Sequence, residues 1–244
     1  MILLQRAKSQ ELWFAPTPSP KECYSLKAFV QCQETQTPWG FVKEPFFTRL
    51  IDLESPFEEE FDKNVRYEIK RAQKESLLFS WGEGVPRFVK FFNAFAQSKG
   101  LSLLNEAELS YMGEHLRLTE IRANGEPLVM HSYLLDHSIK RVRLLHSASL
   151  FRLSQEKDFR ALVGRANRLL HFLDMERFKE EGFKIYDFGG VSHSQDPALL
   201  GINRFKEGFG GREVEEPTFR GWLFVALLKI FTLKGRLQTW KRAI

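Results

Sequence analysis

Cysteine is scarce in this chain of 244 residues, with Cys23 and Cys32 the only two. They stand nine residues apart, with no Cys-x-x-Cys and no nearby histidine pair. Neither a zinc site nor a disulfide framework is indicated, a reducing compartment fits, and no metal is expected. No run of about 18 apolar residues occurs, so no membrane span is read from the sequence. The opening "MILLQRAKSQE" is too briefly apolar for a signal peptide, and the expectation is a cytoplasmic protein. Internal repeats and low-complexity segments are lacking as well. Acid is missing from residues 221–244, which carry Lys229, Lys234, Arg236, Lys241 and Arg242. Those five account for the whole net charge of +5, because the other 31 basic residues are matched by 31 acids.

Apolar surface is plentiful. At 43% hydrophobic, with 23 phenylalanines, the chain can bury the core of one large domain or two small ones. Pro16, Pro18 and Pro20 place a loop over residues 15–21. "CYSLKAFVQC" and "FFTRLIDL" read as strands. From Ser55 a helix is predicted through "SPFEEEFDKNVRYEIKRAQKES", with Pro56 at its first position and Phe57, Phe61, Val65 and Ile69 as one apolar stripe. "LLFSWG" is a strand, and "VPRFVKFFNAFAQSKG" and "NEAELSYMGEHL" are helices. Three strands follow over residues 117–149, the first two joined by an Asn124-Gly125 hairpin turn. The longest helix spans residues 158–182, then come strand "KIYDFGG", helix "DPALLGINRFKEGFG" and strand "REVEEPTF". Glycine pairs at 189–190 and 210–211 mark places where side chains would obstruct a neighbour.

Two of these stretches, in this order, resemble a known family. The helix motif Arg66 to Ala72 ("RYEIKRA") and the pair "YDFGG" and "FKEGFGG" are similar to those of Fem-type peptidyltransferases and the related GNAT-superfamily acyltransferases. The resemblance covers residues 48–215. It implies a mixed α/β, GNAT-like fold: a central mixed sheet flanked by helices, here over residues 55–220. An N-terminal strand-rich extension, 1–54, and a C-terminal helix, 221–244, would flank it. The activity implied is N-acyl transfer from an acyl thioester, with coenzyme A as the carrier, to an amino group of an envelope or metabolite precursor. An aminoacyl-tRNA donor, and a non-catalytic binding protein on the same fold, are the two alternatives.

The resemblance also directs attention to particular side chains. The family's diphosphate loop sits at a helix N-terminus, where free N–H groups favour anions. "RALVGRA" is similar to it, which points to Arg160, Gly164, Arg165 and Asn167 as donor-binding residues, with Ser147 and Ser149 on the strand beside them. His146, on a strand that would face the thioester, is the first candidate base; the other reading is a core histidine. Asp187 either holds the acceptor amine or orients a base, or is a turn residue bonded to its own backbone. His131, His171, Asn203 and Lys206 are candidates for the acceptor side. His171 and Asp174 are three apart on the long helix and can pair.

The tail, residues 221–244, has two readings. It is either a helix that buries Leu223, Val225, Leu227 and Ile230, or an interfacial helix that holds the protein beside a lipid-linked acceptor at the inner face of the membrane.

Overall fold

The computed structural model describes residues 1–6 and 9–233. Its first strands are β1 (Ile2–Arg6), β2 (Ser9–Trp13), β3 (Lys27–Val30), β4 (Phe41–Glu44) and β5 (Phe47–Asp52). Then come α1 (Lys63–Ala72), β6 (Leu77–Trp81), α2 (Val85–Lys99) and the single turn α3 (Ala107–Ser110). A meander follows, β7 (Leu116–Ala123), β8 (Glu126–Asp136) and β9 (Arg141–Ser149), and leads to the long α4 (Lys157–Glu180). The chain ends with β10 (Ile185–Val191), α5 (Pro197–Glu207), β11 (Arg212–Glu215), β12 (Thr218–Gly221) and α6 (Trp222–Leu233). Two compact units result, one of residues 1–49, 190–193 and 213 onward, the other of residues 50–189 and 194–212.

The first unit draws on both ends of the chain. Its five-stranded sheet runs β1-β2-β3-β12-β4, with β12 antiparallel to both of its neighbours. Phe29, Phe41 and Phe219 fill its core together with the buried, unpaired Cys23 and Cys32. Burial pushes the Cys32 thiol up to about 12, with Glu216 adding to the effect, so it stays protonated. In α6, Phe224 is buried while Leu223 and Ile230 are exposed. The helix therefore does not bury the set of residues that a packing role had suggested. Lys234, Arg236, Lys241 and Arg242 lie outside the described residues.

The second unit holds most of a mixed sheet in the order β11-β5-β10-β9-β8-β7-β6. β6 to β9 form an antiparallel meander, and β10 joins β9 in parallel. Asn124 and Gly125, both at positive φ, make the tight turn that the sequence predicts. β8 reads as a nearly unbroken apolar run because both of its faces are covered, by α4 on one side and α2 on the other. Val129, Tyr133 and Leu135 join the core under α4, which also takes in Val65 and Ile69 of α1.

Three elements differ from the sequence reading. Helix α1 starts at Lys63 rather than after Ser55, because Asp62 caps it by accepting the Val65 N–H at 2.6 Å. The Ser55 hydroxyl instead turns back to the Asp52 carbonyl, and residues 57–60 form a 3-10 turn. All four residues of the apolar stripe are nonetheless buried. "NEAELSYMGEHL" makes only α3 and a short 3-10 turn, and "REVEEPTF" divides into β11 and β12 around Pro217. The unread segments 2–6 and 9–13 form an antiparallel strand pair.

Gly211 shows why the second glycine pair is there. Its φ is +71°, and a Cβ would overlap the Leu50 carbonyl and come within 2.8 Å of Ile51 Cγ1. Its N–H also donates to Glu60 Oε2 at 2.7 Å. Gly211→Ala combines a left-handed backbone with overpacking and should destabilise the fold by about 2–4 kcal/mol in urea unfolding.

Candidate active site

The site begins where two parallel strands part. β9 and β10 are paired from Ile185–Arg141 to Asp187–Arg143, and no further pairs are formed although both strands continue. At Gly189, with φ +70°, β10 still passes so close to β9 that a Cβ would lie 2.9 Å from the Leu144 carbonyl oxygen. Beyond that point a cleft of about 830 Å³ opens within the second unit. Ser147 and Ser149 of β9 and Phe188 of β10 form one part of its wall. Gly164, Asn167, Arg168 and His171 of α4, one face of the helix at three- and four-residue spacing, form another.

Charge around the cleft is one-sided. Lys99, Arg152, Arg168, Arg204 and Lys206 line it, against the single carboxylate of Asp62, which is already engaged as a helix cap. Burial, reinforced by Arg152, pulls the Lys99 ammonium below its ordinary value. Burial lowers Arg168 too, although Glu68 and Asp62 oppose that. Arg168 lies over the Phe205 ring and donates to the Gly164 carbonyl. Among the described residues there is no group of three or more His, Cys, Asp or Glu side chains able to hold a metal.

Behind the α4 wall lies a buried polar network. Asp174 has no exposed surface, and its Oδ2 accepts from Tyr133 at 2.5 Å, His131 Nδ1 at 2.9 Å and Thr119 at 3.1 Å. Burial raises its pKa, against the lowering effect of those hydrogen bonds. One arm returns to the cleft through His131, whose Nε2 lies 3.0 Å from Asn167 Oδ1. The other runs from Tyr133 to Tyr186, hydroxyl to hydroxyl at 2.9 Å, and on to His171 Nδ1 at 2.8 Å. Burial, then the charges of His131, Lys206 and Arg168, hold His171 well below the usual imidazole range. Both tyrosines are pushed well above theirs, chiefly by burial.

Of the residues singled out from the sequence, Ser147, Ser149, Gly164, Asn167, His171 and Lys206 meet at the cleft, and His131 sits just behind it. The other five lie elsewhere. His146 lies on the opposite face of the sheet, 5.1 Å from the Phe92 ring and hydrogen-bonded to Ser132 at 2.8 Å. The cause is a bulge: Tyr133 faces Leu144 but Ser132 faces His146, so Leu145 is the extra residue and the alternation of β9 reverses there. Asp187 is fully buried, bonded to Arg141 at 2.6 Å and to the Gly189 N–H at 2.8 Å. It fixes the strand end and its turn, and does not line the cleft.

The expected diphosphate cradle also needs correction. Residues 160–166 lie inside α4, which begins at Lys157, so the Gly164 N–H is committed to the helix ladder. Arg160 is exposed over the Phe151 ring, and Arg165 pairs with Glu75. Asn203 is turned to the buried side of α5. Tyr133, Tyr186 and Arg168 were not anticipated. The signal available for Arg168 was a polar stripe, Asn167, Arg168, His171 and Asp174, on a helix face that also carries the buried Val163, Leu170 and Phe178.

No family model matches this chain, and no curated protein matches it. Solved structures do. FemX shares the fold at a TM-score of 0.59 and 12% identity, over 84% of this chain and 68% of its own. The C-terminal domain of a protein described as a lysylphosphatidylglycerol synthetase, from Agrobacterium fabrum, matches at 0.58 and 14%, over 97% and 86%. L-PGS from Bacillus licheniformis matches at 0.56 and 12%, over 96% and 85%. These likenesses establish the fold, a mixed α/β architecture of the Fem type, in agreement with the resemblance read from the motifs.

The position of His146 has a measurable consequence. Burial, with help from Arg143, lowers its pKa from 6.5 to about 4. The unfolded chain therefore takes up a proton below pH 6.5 that the folded one refuses. Stability is complete above that value and is lost as the pH falls toward 4. Between about pH 7.5 and 5 this histidine should account for about 2 kcal/mol of lost stability. Urea midpoints of His146→Gln should fall less over that interval than those of the parent protein. An identical loss in both would place the imidazole in water.

Proposed function

We propose that this protein is an acyltransferase that moves an acyl or aminoacyl group from a phosphate-bearing carrier to an amino group. The observation that carries the reading is a cleft beside an open strand edge with five cations around it. Free backbone groups on β9 suit an extended donor arm, which can add to the sheet like a further strand. The cations suit the carrier's phosphates, and Ser147 and Ser149 supply hydroxyls near the acyl carbonyl. Likeness in fold to FemX and to the Agrobacterium fabrum protein supports the same class of chemistry.

For the donor, aminoacyl-tRNA has more support than coenzyme A. A coenzyme A diphosphate would use a helix N-terminus, and the motif thought to provide one is helix interior. A ring of Lys and Arg without such a cradle suits a longer polyanion. The test is direct. Transfer is assayed with acetyl-CoA and with bulk tRNA carrying radiolabelled amino acids, against amino-sugar, amino-acid and lipid acceptors. Transfer from charged tRNA is expected, with affinity falling by about tenfold or more between 50 and 200 mM salt. Arg168→Ala and Lys206→Ala should each weaken tRNA binding about tenfold. Transfer from acetyl-CoA alone would reverse the choice of donor. Binding without transfer from either would leave a binding protein on this fold.

The acceptor in this reading is an amine on a small molecule or on a lipid. Support for a lipid comes from the first unit. Trp39 and Trp222, both exposed, pack with ring centroids 5.1 Å apart and planes tilted by 59°, next to the exposed Leu223 of α6. Residues 221–244 carry five cations and no acid. Among the described residues no helix is long and apolar enough to cross a membrane, so contact would be peripheral, with tryptophans at headgroup depth. Flotation with phosphatidylglycerol vesicles should show salt-sensitive binding. Replacing both Trp39 and Trp222 by Ala should reduce it severalfold, since each aromatic ring contributes buried apolar area. Equal, negligible flotation of both proteins would remove the lipid from the scheme.

A further inference from the structure

We propose that His171 is the general base of this cleft, held in its Nδ1–H tautomer by the hydroxyl chain Tyr186–Tyr133–Asp174. The inference deepens the acyl-transfer reading and rests on it for the reaction served.

The proton directions follow from the far end. Asp174 Oδ2 is an acceptor, so the Tyr133 hydroxyl donates to it. The Tyr133 oxygen then accepts from Tyr186, and the Tyr186 oxygen, its proton spent, accepts from His171. Nδ1 of His171 must therefore carry the proton. That leaves Nε2 with its lone pair, and among the described residues no side chain or backbone group bonds it. The ring is 1% exposed, packed by Phe188, Phe205 and Phe209, and it lines the cleft. A buried imidazole with one nitrogen satisfied and the other open to a substrate space is arranged to receive a proton there.

Burial, and after it the neighbouring charges, keep it neutral until then. His131 of β8 lies 4.2 Å away, ring to ring, and shares Asp174; Arg168 on α4 and Lys206 on α5 add positive charge. Asp174, the one carboxylate in the network, is engaged directly with His131 and reaches His171 only through the two tyrosines. In the reaction a neutral amine nitrogen attacks the acyl carbon, and a C–N bond forms as electrons move onto the carbonyl oxygen. The proton shed by that nitrogen passes to His171 Nε2. As the carbonyl re-forms, the bond to the carrier oxygen or sulfur breaks and that atom takes the proton back. The amide and the free carrier are the products, and His171 is restored. While it is an imidazolium, its Nδ1–H stays bonded to Tyr186, and the two hydroxyls connect that bond to the Asp174 carboxylate without taking up the proton.

Two measurements test this. In protein with ¹⁵N-labelled histidine, His171 should show a protonated Nδ1, a bare Nε2 and a titration displaced well below that of an ordinary imidazole, because the ring is buried. Tyr186→Phe should abolish the tautomer preference without unfolding the protein. An Nε2–H tautomer, or an imidazolium at about pH 7, would overturn the proposal whatever the reaction proves to be. In the transfer assay, His171→Gln should lower kcat by about 10²–10⁴-fold with tRNA binding unchanged. Tyr186→Phe should lower kcat less and shift the acid limb of its pH profile. Undiminished kcat in His171→Gln would also overturn it. Absence of transfer by the unaltered protein, with the tautomer as described, would instead count against the acyl-transfer reading alone.

Discussion

Asp174 places a carboxylate where no water reaches it, and the second unit is organised around satisfying that group. A buried unpaired charge is expensive, so it persists only where donors are brought to it. Three come from two neighbouring strands: Thr119 on β7, and His131 and Tyr133 on β8. Their side chains can converge only if both strands present the right face and if α4 crosses them at the right height. A shift of one residue in either strand would turn that strand's donors to the opposite side. The network thus fixes the register of the sheet against the helix that carries the cleft wall. Oδ1 of Asp174 remains without a partner, which keeps the site from being an ordinary, fully satisfied core contact.

The bulge at Leu145 performs the complementary task on β9. Without it, Leu144, His146 and Ala148 would share one face, and a histidine would stand in the cleft in place of the serines. With it, Leu144 stays in the core under α4 while Ser147 and Ser149 take over the same side. His146 passes to α2, among Phe88 and Phe92. Strand alternation read from sequence is reliable only up to such an insertion. Nothing in "RVRLLHSAS" marks which leucine is the extra one.

Other features were legible for definite reasons. The Asn-Gly turn, the length of α4 and the apolar stripe of α1 rest on local patterns, and local patterns survive folding. The glycines at 189 and 211 were readable as close approaches, because only glycine accommodates both positive φ and a carbonyl at that distance. The diphosphate motif failed for the opposite reason. Its meaning depends on being at a helix start, and "RALVGRA" lies past the first turn of α4, which begins at Lys157. Asp187 misled in a similar way: a strand end next to glycines suits a reacting group, yet its ion pair with Arg141 of the neighbouring strand converts it into a buried brace. The tyrosine relay was invisible because Tyr133 and Tyr186 are 53 residues apart and meet only through the parallel pairing of β10 beside β9.

The cleft combines cations around it with a neutral imidazole at its wall, and these two features oppose each other until a donor arrives. Arg168 and Lys206 are among the charges that depress His171, and both also line the space where phosphates would lie. A polyanion bound there offsets their field, and the imidazole becomes a stronger base as a direct result. In the proposed reaction such a base would be weak while the site is empty and would strengthen when the acyl carrier is seated, coupling donor binding to proton abstraction through charge.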